Sequence, residues 1–441
     1  GLGDVYKRQA FHTSQSQRRP HTVRVPAERH RPGDMVAVAV ITVLVIVAAV
    51  VVWVTGDRAH TTLKHGAHPT MGAPITREPT GLKVLWEASS PLTRGSLTRG
   101  PLTAGPVIVT GSHDTVVGRS PATGEMVWEY HRNRSLCGLE SAWGEAISVW
   151  QFSGGCGDVM LLRGSNGHHG PSRSGFSPAH PRIVTGGQHV LSIGPHTVES
   201  WRSDMVRTLL VGPSETPLEP EQKKQPHCSI ADAVENNDSI GVLQRCPGDT
   251  SLRFTFFRAV PEEDTTPETE GTWLTDAHHG AVIEVTGSQA LLYLEEPAPH
   301  FVILRHEQGE DEEDSPVLVH VAKTMESSFG QASLLGVPIV RTDKSLFWSD
   351  GENLYSFDAE TLALKWSTAH ITGTPAVLSD MVGSLHWLVA PVRGGLALLD
   401  GNTGEKARFL PVPGPSINKV IVVGGTIVAQ QGDKVLGLAP A

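Results

Sequence analysis

From residue 81 onward, apolar residues occur in short runs of five or six, separated by Gly, Asp, Asn or Pro. The stretch 337–367 reads VPIVRTDKSLFWSDGENLYSFDAETLALKWS, and its breaks fall at TDK, DGE and AETL. Short runs of this kind, bounded by turn residues, are typical of β-strands. The pattern therefore predicts four consecutive strands joined by tight turns.

One turn of this pattern recurs along the chain. Aligned on Ser120, Asp358 and Asp400, three segments have a Thr three residues later, and two of them have a Trp eight residues later. These residues are Thr123, Thr361, Thr403, Trp128 and Trp366. A recurring element at this spacing indicates a structural repeat. We interpret it as the turn between the third and fourth strands of a four-stranded unit, with the Trp packing the outer strand against its neighbour.

Counting with this turn as a marker divides most of the chain into repeating units. The predicted units are 95–130, 137–176, 181–212, 228–275, 280–322, 334–368 and 373–412. Residues 418–440 supply only three further strands, and LKVLWEAS at 82–89, which contains Trp86, is expected to supply the fourth. Such closure removes the free sheet edges of a ring. The predicted fold is an all-β propeller of four-stranded blades; eight is our count, and seven stays open because the middle units are degenerate.

A different pattern lies near the N-terminus. Residues 35–54 read MVAVAVITVLVIVAAVVVWV and contain no charged residue. As a helix they would span about 30 Å, the thickness of a hydrocarbon core. A signal peptide is the alternative, but its apolar region is usually shorter, and the TGDRAHT that follows has no small-x-small cleavage site. The pattern favours one transmembrane helix.

The charges on either side of this helix predict its orientation. Residues 1–34 carry a net charge of +4, and the remainder of the chain carries −14. The basic residues of the first part are Lys7, Arg8, Arg18, Arg19, Arg24, Arg29 and Arg31. Because the positive flank stays in the cytoplasm, the remainder is expected outside it, in the periplasm. Residues 1–34 form a short cytoplasmic tail, 55–80 a linker and 81–441 the propeller; GLGDVYKRQ at 1–9 lacks an initiator Met and is interpreted as a sequencing artefact or a fragment end.

Composition agrees with an extracytoplasmic β protein. The 441 residues include 46 Gly and 31 Pro, and only 6% are aromatic. The net charge of −10 argues against a nucleic-acid-binding protein. Cys137 and Cys156 are 19 residues apart, and Cys228 and Cys246 are 18 apart, without CxxC spacing. Each pair falls at the start of a first strand and near the end of the second, so the hairpin geometry predicts two disulfides within blades, with Cα atoms about 5–6 Å apart.

The segments LYSFDAETLALKW and LALLDGNTGE resemble pyrroloquinoline-quinone-type (PQQ-like) propeller repeats. More loosely, the whole chain resembles the membrane-anchored envelope propellers of mycolate-bearing actinobacteria. That second resemblance implies a scaffold in trehalose monomycolate transport beside an RND-type exporter. The implied partners are an envelope membrane protein and a glycolipid.

The first resemblance also raises an enzymatic alternative, a quinoprotein or ligand sensor with a small cofactor in the central funnel. Quinone-dependent enzymes of that class carry vicinal cysteines, which this sequence lacks, and no G-x-S-x-G elbow occurs. We therefore expect a noncatalytic protein without a cofactor. Metal binding by the adjacent pairs His168, His169 and His278, His279 is not expected either, because neighbours on a strand point in opposite directions.

Three surface segments are candidate contact sites. The acidic stretches 261–271 and 308–316 are expected at the turns between third and fourth strands, either as solvated loops or as a patch for a basic partner or Ca²⁺. The segment VESWRSDMVRTLLV combines aromatic and charged side chains, as protein interfaces do. Its interface candidates are Trp201, Arg202, Asp204 and Arg207. The alternative for these four is an ion-paired turn beside a packed Trp.

Overall fold

The computed structural model describes residues 32–90, 101–175, 177, 181–213, 226–305, 317–323, 339–379 and 386–441. The chain divides into two compact units, Gly1–Ala59 and His60–Ala441. The first contains helix α1, Pro32–Thr55, which includes the predicted span and is long and apolar enough to cross a membrane. A short 3₁₀ helix, Asp57–His60, follows it.

The second unit consists of eight antiparallel sheets, which confirms the eight-bladed propeller. Blade I contains β1 (Thr62–His65), β3 (Leu102–Ala104), β4 (Val107–Ser112), β5 (Thr115–Arg119) and β6 (Met126–His131). Blade II contains β7 (Leu136–Ala142), β8 (Glu145–Phe152), β9 (Gly155–Leu162) and β10 (His169–Ser174). Blade III contains β11 (Arg182–Thr185), β12 (Val190–Ile193), β13 (Val198–Trp201) and β14 (Arg207–Val211). Blade IV contains β15 (Ser229–Asn236), β16 (Ser239–Arg245), β17 (Arg253–Arg258) and β18 (Thr269–Leu274).

The remaining four blades follow the same plan. Blade V contains β19 (Gly280–Val285), β20 (Gln289–Leu294), β21 (His300–Arg305) and β22 (Val317–Lys323). Blade VI contains β23 (Val340–Arg341), β24 (Ser345–Ser349), β25 (Asn353–Asp358) and β26 (Leu364–Ala369). Blade VII contains β27 (Ala376–Ser379), β28 (His386–Val392), β29 (Gly395–Asp400) and β30 (Lys406–Pro411). Blade VIII contains β31 (Ile417–Val423), β32 (Thr426–Gln431), β33 (Lys434–Pro440) and β2 (Leu82–Ser89).

The ring closes through its last blade, as the sequence predicted. Strand β2 pairs antiparallel with β33, so the N-terminal side of the propeller supplies the outer strand of blade VIII. Most first strands contact the first strand of the adjacent blade, and the contact of β31 with β3 joins blade VIII to blade I. The first strands therefore surround the central axis. The hydrophobic core is divided into clusters, several of which lie between adjacent sheets.

The recurring turn lies between the third and fourth strands, as expected. In blade VI the carboxylate of Asp358 accepts hydrogen bonds from the backbone N–H groups of Glu360 and Thr361, at 3.1 and 3.0 Å. Asp400 accepts equivalent bonds from Asn402 and Thr403 in blade VII. The bond from Thr361 N–H contributes most to holding the pKa of Asp358 below its ordinary value. The conserved spacing of Asp and Thr thus encodes a side-chain cap on a tight turn.

The Trp of the repeat joins one blade to the next. The Nε1–H of Trp128, in the fourth strand of blade I, donates to the carbonyl of Gly164 in the blade II turn at 2.8 Å. Trp86 donates in the same way to Pro121 in blade I, and Trp366 to Gly401 in blade VII. This confirms the predicted role of the outer-strand Trp, and Trp86 makes the contact across the closure of the ring.

The turn whose carbonyl accepts the Trp hydrogen bond also has a glycine that packs against the face of the indole ring. A Cβ atom on Gly167 would lie 2.7 Å from the ring of Trp128, and one on Gly404 would lie 2.5 Å from that of Trp366. Both glycines also have positive φ, 69° and 75°. In the blade VI turn, Leu362 occupies the equivalent position with a φ of 60°. The Thr-Gly of the motif is therefore explained by close approach of the neighbouring Trp as well as by backbone conformation.

Part of the segment that the sequence assigned to a linker belongs to the propeller unit. Strand β1 pairs with β6 and gives blade I a fifth strand, and Lys64 Nζ lies 2.7 Å from a carboxylate oxygen of Glu129. Further along, the backbone N–H of Thr70 donates to the hydroxyl of Ser120 at 3.0 Å. Ser120 occupies the place of the turn aspartate, so in blade I this position binds the incoming segment.

Both predicted disulfides are present. Cys137 is bonded to Cys156 with a Cα–Cα distance of 6.0 Å, and Cys228 to Cys246 with a distance of 4.1 Å, which is shorter than the expected range. In blade II the bond joins the start of the first strand, β7, to the start of the third strand, β9, so Cys156 lies just beyond the turn in which the sequence placed it. In blade IV the bond joins the residue before β15 to the residue after β16. Because strands alternate in direction, both disulfides lie on the face of the ring opposite the turns between third and fourth strands.

Candidate functional site

Charged side chains on the first strands form a ring of groups around the propeller axis, which we call the inner ring. Five blades contribute one residue each, and blade IV contributes two, because Glu235 also lies on β15, where it is buried and its Oε1 lies 3.0 Å from His189 Nδ1. The remaining six residues are the ones discussed below. These are Glu140, Arg182, Asp232, Glu284, Arg341 and Lys419, on β7, β11, β15, β19, β23 and β31. With Glu235 the first strands carry four acids and three bases, a net charge of −1 when all are ionised. The first strands are otherwise rich in small and aliphatic residues, and none of the eight contains an aromatic side chain.

Four of these residues form ion pairs between adjacent blades. Arg182 Nη1 donates to Asp232 Oδ1 at 2.9 Å, which joins blades III and IV. Arg341 Nη2 lies 2.6 Å from Glu284 Oε2, which joins blades V and VI. Burial raises the pKa of Glu284, and the charge of Arg341 opposes that shift. The pairing compensates the cost of placing these charges inside the protein.

The other two residues interact across a blade. Burial raises the pKa of Glu140 in blade II, and the largest opposing effect comes from the charge of Lys419 in blade VIII. Blade I separates these two blades in the ring. The effect is an electrostatic one that acts across the inner end of blade I, where the first strands surround the axis. The arrangement suits polar or ionic contacts at the axis better than an apolar ring system.

Of the four interface candidates, Trp201 is buried and Arg207 is half-buried. Trp201 is 3% exposed, and the guanidinium of Arg173 lies 4.9 Å from the centre of its ring. Arg207 Nε donates to Asp264 Oδ2 at 2.7 Å, and its Nη1 donates to Glu199 at 3.3 Å. Because Asp264 belongs to the blade IV turn, Arg207 joins blades III and IV. Both side chains therefore contribute to the packing of blades.

The other two candidates are on the surface. Arg202 and Asp204 form an ion pair at 2.7 Å, and each side chain is 51% exposed. The neighbouring Val206 is also exposed. These residues belong to the turn at 202–206, between β13 and β14, which we call the blade III turn. An exposed ion pair contributes little to stability, and the interface role of this turn stays a prediction.

The acidic and histidine-containing segments are placed as follows. Residues 261–268 lie between β17 and β18, at the predicted turn of blade IV, whereas 308–316 lie outside the described residues. His169 is in β10, and His168 immediately precedes it. His278 and His279 immediately precede β19. The acidic patch and its Ca²⁺ alternative stay predictions.

Sequence reasoning missed the inner ring. Its signal was a charged residue in a short apolar strand, as in GAVIEV at 280–285 or INKVIVV at 417–423. A surface-facing position produces the same pattern, since half of the residues in a solvated strand are polar. An inner-ring residue can be distinguished from a surface residue only when its segment has been assigned to the first strand of a blade.

No family model matches the sequence, and no match is found among curated proteins. Solved propeller structures do resemble it. The computationally designed Ika8 protein has a TM-score of 0.51 at 11% identity, over 81% of this chain and 98% of its own. BamB from Moraxella catarrhalis has a TM-score of 0.48 at 12% identity, over 81% and 99%. The β-propeller domain of Myceliophteria thermophila Cps50 (Swd1) has a TM-score of 0.41 at 12% identity, over 80% and 100%. At these identities the likeness concerns the fold alone.

Proposed function

We propose that this protein is a noncatalytic, membrane-anchored propeller that acts as a scaffold in the cell envelope, in trehalose monomycolate transport beside an RND-type exporter. The proposal that the protein is noncatalytic is supported by the ion pairs within the inner ring. Arg182 with Asp232 and Arg341 with Glu284 are bonded to each other, so these acids and bases are already engaged. The transport assignment rests on the resemblance of the whole chain to envelope propellers.

The proposed location is the outer side of the cytoplasmic membrane. Two disulfides are typical of an oxidising compartment, and helix α1 supplies a candidate membrane span. The basic flank before the helix favours a cytoplasmic N-terminus. We expect a membrane-impermeant amine reagent to label lysines of the propeller, such as the exposed Lys434, in intact cells. Protection of these lysines until the cells are lysed would contradict the orientation.

The alternative function is a quinoprotein or a sensor with a small cofactor in the funnel. A flat quinone would require a surface for stacking, and the eight first strands carry no aromatic residue. Absorbance of the purified chain and dye-linked dehydrogenase activity distinguish the two functions. A bound quinone chromophore would overturn the noncatalytic proposal.

The blade III turn is the proposed partner surface. An exposed arginine at the rim of an interface can provide charge-assisted contacts that a reversed charge destroys. The full chain in detergent is expected to bind trehalose monomycolate, or the purified extracytoplasmic part of the exporter, at concentrations below about 100 µM. Arg202→Glu is expected to weaken this binding at least about tenfold, because it reverses the charge and repels Asp204.

Arg163 provides a matched control. It is the first residue of the corresponding turn in blade II, where its side chain is 58% exposed. Arg163→Glu makes the same charge change and is expected to leave binding unchanged. Equal losses in the two variants would place the partner elsewhere, and no binding of either probe would remove the transport assignment while leaving a general scaffold role.

A further inference from the structure

A cluster of His279, Glu295 and Glu296 lies in blade V at the position where blade IV has its disulfide. Cys228 immediately precedes β15 and Cys246 immediately follows β16, the first and second strands of blade IV. In blade V, His279 immediately precedes β19, and the two glutamates immediately follow β20. The start of the first strand and the end of the second are thus joined by a disulfide in blade IV. In blade V the same two positions have side chains that can bind a metal ion.

The geometry brings the three side chains together. His279 Nδ1 lies 2.7 Å from Glu296 Oε1, and one potential ligand atom from each of the three residues lies within 4.8 Å of the others. The backbone N–H groups of His278 and His279 both donate to Glu296 Oε2 at 3.0 Å. These bonds fix the Glu296 carboxylate against the start of β19. Cis ligands of one small cation are separated by a similar distance, about 3 Å.

An independent observation points to a ligand at this position. The Glu295 side chain is half-buried, and its Oε1 atom is shielded from solvent and has no hydrogen-bond partner among the described residues. Burial raises the pKa of Glu295, an effect that the nearby charge of His279 opposes. Burial also acts to raise the pKa of Glu296, but the hydrogen bonds from His279 and from the two backbone groups lower it overall. A buried carboxylate oxygen without a donor is costly, and a cation would satisfy it.

The donor set selects the class of cation. One imidazole nitrogen and two carboxylate oxygens suit Zn²⁺, which binds four ligands tetrahedrally and accepts both donor types. Ca²⁺ requires six to eight oxygen ligands and would gain little from the imidazole. With three protein ligands, water would occupy the fourth position.

We propose that His279, Glu295 and Glu296 bind a divalent transition-metal ion of the Zn²⁺ class, which cross-links the first two strands of blade V as the disulfide does in blade IV. The role is structural, since the ion would fix the entry of β19 relative to the connection after β20. Adjacent histidines do not form this site. His279 acts with the carboxylates of Glu295 and Glu296, which lie in the connection after β20. The side chain of His278 does not take part.

Titration of the full chain in detergent with ZnCl₂ tests the proposal. The wild-type protein is expected to bind one equivalent more tightly than His279→Ala or Glu295→Gln, whose dissociation constants for that equivalent should rise at least about tenfold. His278→Ala removes an adjacent imidazole outside the cluster and is expected to bind as the wild type does. This control matters because the chain contains 21 histidines.

A thermal readout distinguishes this site from adventitious Zn²⁺ binding. Zn²⁺ is expected to raise the melting temperature of the wild type and of His278→Ala, and to leave that of His279→Ala unchanged, because only binding to the folded blade stabilises it. Equal Zn²⁺ titration curves for His278→Ala and His279→Ala would overturn the proposal. So would the absence of a one-equivalent difference at about 100 µM metal.

Discussion

Replacing Trp128 with alanine is expected to lower the free energy of unfolding by about 3–5 kcal/mol. The side chain is 0% exposed, and its indole fills the space between the fourth strand of blade I and the blade II turn. Truncation removes that packing and leaves the carbonyl of Gly164 without its donor. The midpoint of urea unfolding, measured at a fixed detergent concentration, gives the loss.

Two further variants separate packing from hydrogen bonding. Trp128→Phe keeps most of the aromatic volume but not the N–H, so it is expected to cost about 1–3 kcal/mol. Trp143→Ala is the matched control, because its Nε1–H also bonds to a carbonyl of the next blade, at 3.2 Å, from a more exposed position. Similar losses for Trp128→Ala and Trp143→Ala would mean that the buried blade-to-blade contact does not dominate stability.

The parts of the fold that were predictable are those with local sequence determinants. Asp358 caps its own turn through residues two and three positions away, so its signal is contained within a few letters. Trp366 is eight positions from that aspartate because the turn and half of the following strand have a fixed length. Trp86 could be assigned to the last blade because residues 418–440 supply only three strands, and the single strand at 82–89 that contains Trp86 supplies the fourth.

The parts that were not predictable depend on distant residues. Strand β1 has few apolar positions, and it is a strand because β6 presents a free edge. Ser120 stands at the position of the turn aspartate, and its contact with Thr70, 50 residues earlier, could not be predicted from the repeat. In the inner ring, Glu140 and Lys419 interact although 279 residues separate them, and no local pattern reports such a pair.

Removing either disulfide is expected to lower the free energy of unfolding by about 3 kcal/mol. The closed loops are nearly equal, with separations of 19 and 18 residues, so the paired variants Cys137→Ala with Cys156→Ala and Cys228→Ala with Cys246→Ala should lose similar amounts. Alanine avoids placing a hydroxyl group at the buried positions of Cys156 and Cys228. Urea unfolding with and without reductant measures the contribution of each bond.

The response to reductant identifies the source of the loss. Dithiothreitol should destabilise the wild type by about the sum of the two losses, because distant sites are nearly additive, and should destabilise each paired variant by one loss only. Single replacement of Cys137 should expose only Cys156 to alkylation of the unfolded, unreduced chain. Alkylation of Cys228 or Cys246 in that variant would mean that the bonds cross between blades II and IV, whereas the structure has each bond within one blade. The contrary outcome is a wild type that keeps its stability in reductant while mass analysis shows four free thiols. The closed loops would then contribute nothing to stability, and contacts such as that of Trp128 would hold the blades together.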